Sequence, residues 1–166
     1  MKLSFRSVFL AAAALYFVLL LAVPGYLVIQ HYTVLKTGRI FKFEVVPYDP
    51  YDPFRGRYAA IRVPALRKAG DGPYFLLAED NKGFAYIAAS QKEAPGNRET
   101  PYVKNLVINR YYLNEKAAPR VERLQRKLSE NQTMYIQVAV KNGDYVIEGM
   151  YVDGVPVEEY AWEDTE

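Results

Sequence analysis

From Val8 to Ile29 the chain is apolar almost throughout and carries no charged residue. Wound as a helix, these roughly 22 residues reach about 33 Å, enough to cross the hydrocarbon core of a bilayer. The period then changes. Phe41, Phe43 and Val45 alternate with Lys42 and Glu44, the two-residue repeat of a strand with one buried face. Ala59, Ile61 and Val63 share one face with Arg57, while Tyr58, Ala60 and Arg62 share the other. Strands are also predicted at Tyr74 to Glu79, Phe84 to Ala89 and Tyr102 to Asn109. The first two are joined by a turn at Asp80-Asn81-Lys82-Gly83.

Ala117, Val121, Leu124 and Leu128 are spaced by four, three and four, with basic and polar residues between them. That spacing predicts an amphipathic helix from about Pro119 to Ser129. Its basic face suits lipid headgroups, and covering one side of a sheet is the ordinary use of such a helix. Met134, Ile136, Val138 and Val140 then alternate with polar partners, and Asn142-Gly143 predicts a type I′ turn into Tyr145 to Val152. The fold class expected is mainly β (α+β). It comprises an N-terminal transmembrane helix and an antiparallel β sandwich or partly open barrel of about eight strands, with one amphipathic helix.

The flanks of the apolar stretch set its orientation. Lys2, Arg6 and the amino terminus precede it, which by the positive-inside tendency keeps the short N-terminal stub in the cytoplasm and the domain outside. Ala22-Val23-Pro24-Gly25 makes a poor cleavage site and apolar residues continue beyond it, so an uncleaved signal anchor is expected rather than a removed signal peptide. The expected organisation is a cytoplasmic stub and anchor over 1–30, a stalk over 31–40, an extracytoplasmic β domain over 41–157 and an acidic tail over 158–166. The expected location is the inner (cytoplasmic) membrane, with the domain in the periplasm or its equivalent.

Charge and composition refine this picture only slightly. The net charge is +2, and the tail from Glu158 to Glu166 holds five acids; removing them leaves +7 on the rest. A basic excess attracts anionic lipid or nucleic acid, but a solvated face with membrane-flanking Lys and Arg accounts for it, and no nucleic-acid partner is expected. The acidic end after Pro156 has little to bury and is expected to be disordered, with Tyr160 and Trp162 able to dock it. Fifteen tyrosines suit sugar stacking, yet a thin β core also uses tyrosine to bury a ring while keeping its hydroxyl wet. A glycan partner therefore stands as a secondary reading.

The chain contains no cysteine, so disulfides, thiolate metal sites and thiol nucleophiles are excluded. The sole histidine, His31, falls at the presumed membrane interface, which leaves a Ser-His catalyst without its base. Ser90 and Ser129 lack a nucleophile-type surrounding. No Gly-rich phosphate loop and no metal-ligand spacing occurs, so no cofactor and no metal are expected.

One stretch concentrates functional groups. Pro47 to Pro64 begins with Tyr48, Asp49, Tyr51 and Asp52 among three prolines, then Phe54, Arg55, Gly56, Arg57 and Tyr58. Aspartate before proline forms a stiff turn, because proline fixes φ and the carboxylate accepts backbone amides ahead of it. Asp49 and Asp52 are also the first candidate pair for acid-base catalysis, with Glu79-Asp80 the next. Their placement before proline, with Arg55 and Arg57 available to neutralise them, favours a turn cluster. Tyrosine and arginine on a rigid loop are the residues of interaction surfaces.

Asp49-Pro50-x-Asp52-Pro53-Phe54-Arg55-Gly56-x-Tyr58 after a single hydrophobic span resembles the GDYXXLXY family of bacterial membrane-anchored proteins. The chain departs from the motif at Arg57, where the family carries aspartate, at Ile61 for leucine, and at Val63 for the second tyrosine. Arg110-Tyr111-Tyr112-Leu113 and the closing hairpin ending in Val152-Asp153-Gly154 extend the resemblance over the whole chain. The resemblance implies an extracytoplasmic domain, in many members encoded beside a multi-pass membrane protein, and implies no substrate. The function expected is a membrane-anchored binding or assembly module accessory to such a partner, more a binding protein than an enzyme. The interaction residues expected are Tyr48, Asp49, Tyr51, Asp52, Phe54, Arg55, Arg57 and Tyr58. The alternative is an acid-base hydrolase or glycan-binding protein of the cell envelope that uses Asp49 and Asp52.

Overall fold

The structure is a computed structural model and describes residues 5–47, 58–68, 70–97, 99–112, 121 and 132–159. Helix α1 (Phe5–Thr37) contains Pro24 and runs on past it. Among the described residues it is the one helix long and apolar enough to cross a membrane, and its apolar side chains from Phe9 to Ile29 are not covered by the rest of the chain. Residues 31–40, read from the sequence as a stalk, are the last turns of this helix, Gly38, and the start of β1 (Arg39–Glu44). A single glycine therefore separates the helix from the sheet.

Gly38 sits in a space that admits no side chain. A Cβ there would meet the Val34 carbonyl oxygen at 2.5 Å and the Val140 backbone nitrogen at 3.0 Å. The Gly38 N–H donates to that Val34 carbonyl at 2.7 Å, closing the helix C-terminus. The chain can then turn directly into β1, which pairs antiparallel with β8 (Met134–Lys141) from Arg39↔Val140 to Glu44↔Tyr135. β8 in turn pairs with β9 (Asp144–Val152), and β9 with β10 (Val155–Pro156), giving the sheet order β1-β8-β9-β10.

Two three-stranded antiparallel sheets complete the described fold. One has the order β2-β3-β7, formed by Val46–Pro47, Tyr58–Arg62 and Arg110–Tyr112. The other has the order β5-β4-β6, formed by Ala85–Gln91, Tyr74–Glu79 and Tyr102–Lys104. The fold is mainly β with a long apolar helix, and no barrel closes among the described residues. All three sheets contribute to one core. Phe41 and Phe43 from β1, Ile61 from β3, Leu77 from β4, Val103 from β6 and Ile136, Val138, Met150 and Val152 from the β8–β9 hairpin form a contiguous buried cluster. Val121, which lies within the predicted amphipathic helix, is helical and fully buried in that cluster; the rest of 119–129 lies outside the described residues.

The turns follow their residues. Asn142 and Gly143 both take positive φ, 52° and 90°, as a type I′ turn requires. Asp153 and Gly154 repeat the arrangement at 50° and 95° between β9 and β10. The strand predicted from Tyr102 to Asn109 divides instead. Asn105 takes φ 50° and donates its N–H to the Pro73 carbonyl at 2.8 Å, which breaks the extended run after Lys104. Leu106 and Ile108 still reach the core, and the exposed Val107 backbone is held by Tyr145, whose hydroxyl accepts from its N–H at 3.2 Å and donates to its carbonyl at 3.1 Å.

The start of the acidic end is ordered where disorder was expected after Pro156, while Tyr160, Trp162 and the rest of 160–166 lie outside the described residues. Val157 is fully buried and Glu158 is bonded into the fold, because a helical turn over 157–159 folds back from β10 onto the core.

Candidate functional site

The motif stretch bridges two paired strands. Val46↔Arg62 and Pro47↔Ile61 are antiparallel partners, so 48–57 is the connection between β2 and β3. Tyr48, Asp49, Tyr51, Asp52, Phe54, Arg55 and Arg57 all lie in that connection, outside the described residues. Tyr58 opens β3, where it pairs with Tyr112, and Ala59 and Ala60 pair with Tyr111 and Arg110. β7 therefore brings a second tyrosine-arginine cluster, Arg110-Tyr111-Tyr112, alongside the motif strand. Ile61 on β3 and Val63 just after it are structural, 3% and 2% exposed.

Tyr111 ties β7 to the chain terminus. Its hydroxyl donates to Glu158 Oε1 at 2.9 Å across 47 residues of sequence. Burial, followed by the hydrogen bond to Glu158 and the charge of that carboxylate, pushes the phenol well above its ordinary value; a backbone bond from Met150 opposes this only in part. Tyr151 is also raised, first by burial and then by the neighbouring Glu148 and Tyr135. Tyr151 and Tyr135 stack with ring centroids 5.5 Å apart, and Phe84 meets Tyr135 edge-on at 5.9 Å. These tyrosines build the fold, which is the amphipathic use their number allowed.

The second carboxylate pair is committed to structure. Glu79 Oε2 accepts from Arg39 at 3.0 Å, joining β4 to the start of β1. Asp80 Oδ1 accepts the backbone N–H groups of Lys82 at 2.8 Å and Phe84 at 2.9 Å, the Asx arrangement that closes the β4–β5 turn.

The structure gathers a further set of polar groups that no motif announced. Where α1 meets the sheet, Gln30, His31 and Val34 form one wall of a cleft of about 500 Å³, and Lys104, Asn105 and Gly143 to Val146 form the others. Gln30 Nε2 donates to Asp144 Oδ2 at 2.8 Å, and the Lys141 ammonium donates to Thr37 Oγ1 at 2.6 Å. His31 Nδ1 lies 2.8 Å from the Leu27 carbonyl, which can only accept, so that nitrogen donates. The Lys104 N–H donates to the Gly143 carbonyl at 2.8 Å, which clamps the end of β6 to the β8–β9 turn. Gly143 itself admits no side chain, since a Cβ would lie 2.7 Å from the Tyr102 ring. These residues come from three distant parts of the sequence, and the docking of α1 on β8 and β9 together with the pairing of β6 against the β8–β9 turn brings them together.

The family model described as GDYXXLXY protein matches residues 20–150, from within α1 to within β9. No curated protein and no solved structure matches the chain. The match takes in the second half of α1, strands from all three sheets and the motif stretch Gly56 to Val63. On that extent, the chain belongs to the GDYXXLXY family.

Proposed function

We propose that this protein is a single-pass membrane module whose β domain stands on the extracytoplasmic face of the inner membrane and assembles there with an integral-membrane partner. The observation that carries this reading is the direct passage of an uncovered apolar helix into the sheet, with Gly38 alone between them. A domain mounted this way has a fixed height and attitude above the bilayer, which suits a part that must meet another membrane-held part face to face. Tethering raises the effective concentration of such a partner, so even a modest contact is occupied.

The contact surface in this reading is the Pro47–Tyr58 connection with its tyrosines and arginines, flanked by β7. β1 and β2 lead away from the helix, and the nine residues from Arg39 to Pro47 extend up to about 30 Å. The partner's contact would therefore be an extramembrane loop or domain rather than its transmembrane surface.

Two measurements in intact cells test this. The chain has no native cysteine, so Asn81→Cys in the exposed β4–β5 turn gives a unique label site. It should react with a membrane-impermeant maleimide without permeabilisation; reaction only after permeabilisation would reverse the orientation. A photocrosslinker at Tyr51 or Phe54 should trap one integral-membrane protein, and Arg55→Ala with Arg57→Ala should lose that adduct while the domain stays folded. No adduct, together with a large stability loss in the arginine variants, would make the loop architectural.

A further inference from the structure

We propose that the cleft between α1 and the β6/β8–β9 corner binds the zwitterionic headgroup of a phosphoethanolamine lipid, the phosphate at Lys104 and the amine at Asp144. The inference rests on the membrane-anchor reading. Its first support is depth. The uncovered apolar side chains from Phe9 to Ile29 cover about 31 Å of helix, close to the roughly 30 Å of a bilayer core. Gln30, His31 and Val34, which line the cleft, follow at once and so lie in the headgroup layer. Tyr26 and Tyr32, both exposed, bracket this level as interfacial aromatics do.

The second support is the charge pattern. Lys104 and Asp144 line one cleft, yet among the described residues the ion pair within 4.0 Å is Arg39 with Glu79, so these two opposite charges are held apart. Main-chain bonds place the two residues on opposite sides of the cleft mouth's backbone, Lys104 N–H tied to Gly143 and Asn105 N–H to Pro73, and the Gln30 side chain holds one Asp144 oxygen. The Lys104 ammonium lies 5.8 Å over the Tyr74 ring, an attraction that leaves its N–H donors unspent. A cation and an anion that line one cleft without pairing match a ligand with both charges. A primary ammonium offers three N–H donors to the remaining Asp144 oxygen, whereas a quaternary choline offers none, which selects ethanolamine. At about 500 Å³ the space is within the roughly 300–1,000 Å³ of small-molecule sites.

The test uses the full chain in phosphatidylcholine nanodiscs carrying a minor fraction of phosphatidylethanolamine or phosphatidylglycerol, with retained lipid read by native mass spectrometry. Wild type should retain one phosphatidylethanolamine about fivefold or more over either other lipid. Lys104→Ala should fall to the phosphatidylcholine level and Lys104→Arg should recover. Asp144→Asn should lose the preference for phosphatidylethanolamine over phosphatidylglycerol, with circular dichroism confirming that each variant is folded. Retention without preference, or unchanged in folded Lys104→Ala and Asp144→Asn, overturns the cleft assignment alone. A chain that does not enter nanodiscs overturns the anchor reading with it. Free O-phosphoethanolamine bound as well as the lipid would assign the cleft to a soluble phosphate ester and overturn the lipid assignment.

Discussion

Ile61 stands where the family motif carries leucine, and its environment explains why the position is apolar. It is 3% exposed in the common core, on the strand that closes the motif connection. Ile61→Leu conserves volume and should cost less than about 1.5 kcal/mol, whereas Ile61→Ala should cost about 2–5 kcal/mol. Chemical unfolding of the detergent-solubilised chain distinguishes these, and an alanine variant as stable as wild type would remove Ile61 from the core. Tyr111 gives the pH dependence. Its phenol is held protonated in the folded state above its unfolded value of about 10, so the folded chain binds the extra proton. Stability from this source is complete below about pH 10 and falls as pH rises beyond it. Tyr111→Phe should lose about 1–2 kcal/mol at neutral pH with the bond to Glu158, and its stability should then decline less steeply from pH 8 to pH 11. Equal alkaline slopes in the two proteins would contradict that assignment; the residual slope is expected from Tyr151, which is raised as well.

At the scale of elements, what sequence reasoning could see depended on how local the cause was. The long apolar helix, β1, β4 and the β8–β9 hairpin were legible because period and turn residues sit within each segment: Phe41 and Phe43 alternate, and Asn142-Gly143 carries its own backbone signal. The break at Asn105 was not legible. It depends on the Pro73 carbonyl and the Tyr145 hydroxyl, partners that only tertiary pairing supplies. The burial of Val157 and the bonding of Glu158 were hidden for the same reason, since an acidic tail reads as solvated until a phenol 47 residues away donates to it. Of the candidate sites, the motif stretch was visible as a cluster of proline, aspartate and arginine. The junction cleft was invisible because Gln30, Lys104 and Asp144 are ordinary polar residues until β6 meets the β8–β9 turn. The continuation of α1 to Thr37 was masked by polarity: Gln30, His31, Thr33 and Lys36 resemble a stalk. The Thr33 and Thr37 hydroxyls donate to carbonyls four residues back and stay helical.

For the whole molecule, the mount matters more than any one side chain. The end of α1 is fastened to the sheet by the buried Val34, by Gln30 to Asp144, by Lys141 to Thr37 and by the close approach of Gly38 to Val140. Exposed hydrogen bonds of this kind are individually worth only about 1 kcal/mol, but the chain also enters β1 without slack, so no flexible linker is available for the domain to tumble on. In the proposed membrane reading, α1 and the sheet thus form one lever from the bilayer to β3. Spin labels at Val28→Cys and Asn81→Cys, measured by pulsed electron resonance in lipid bilayers, test this most directly. A single narrow distance distribution is predicted, broadened by Gly38→Val, whose side chain the Val34 and Val140 backbone cannot admit; a broad distribution in the otherwise wild-type chain would contradict the fixed mount.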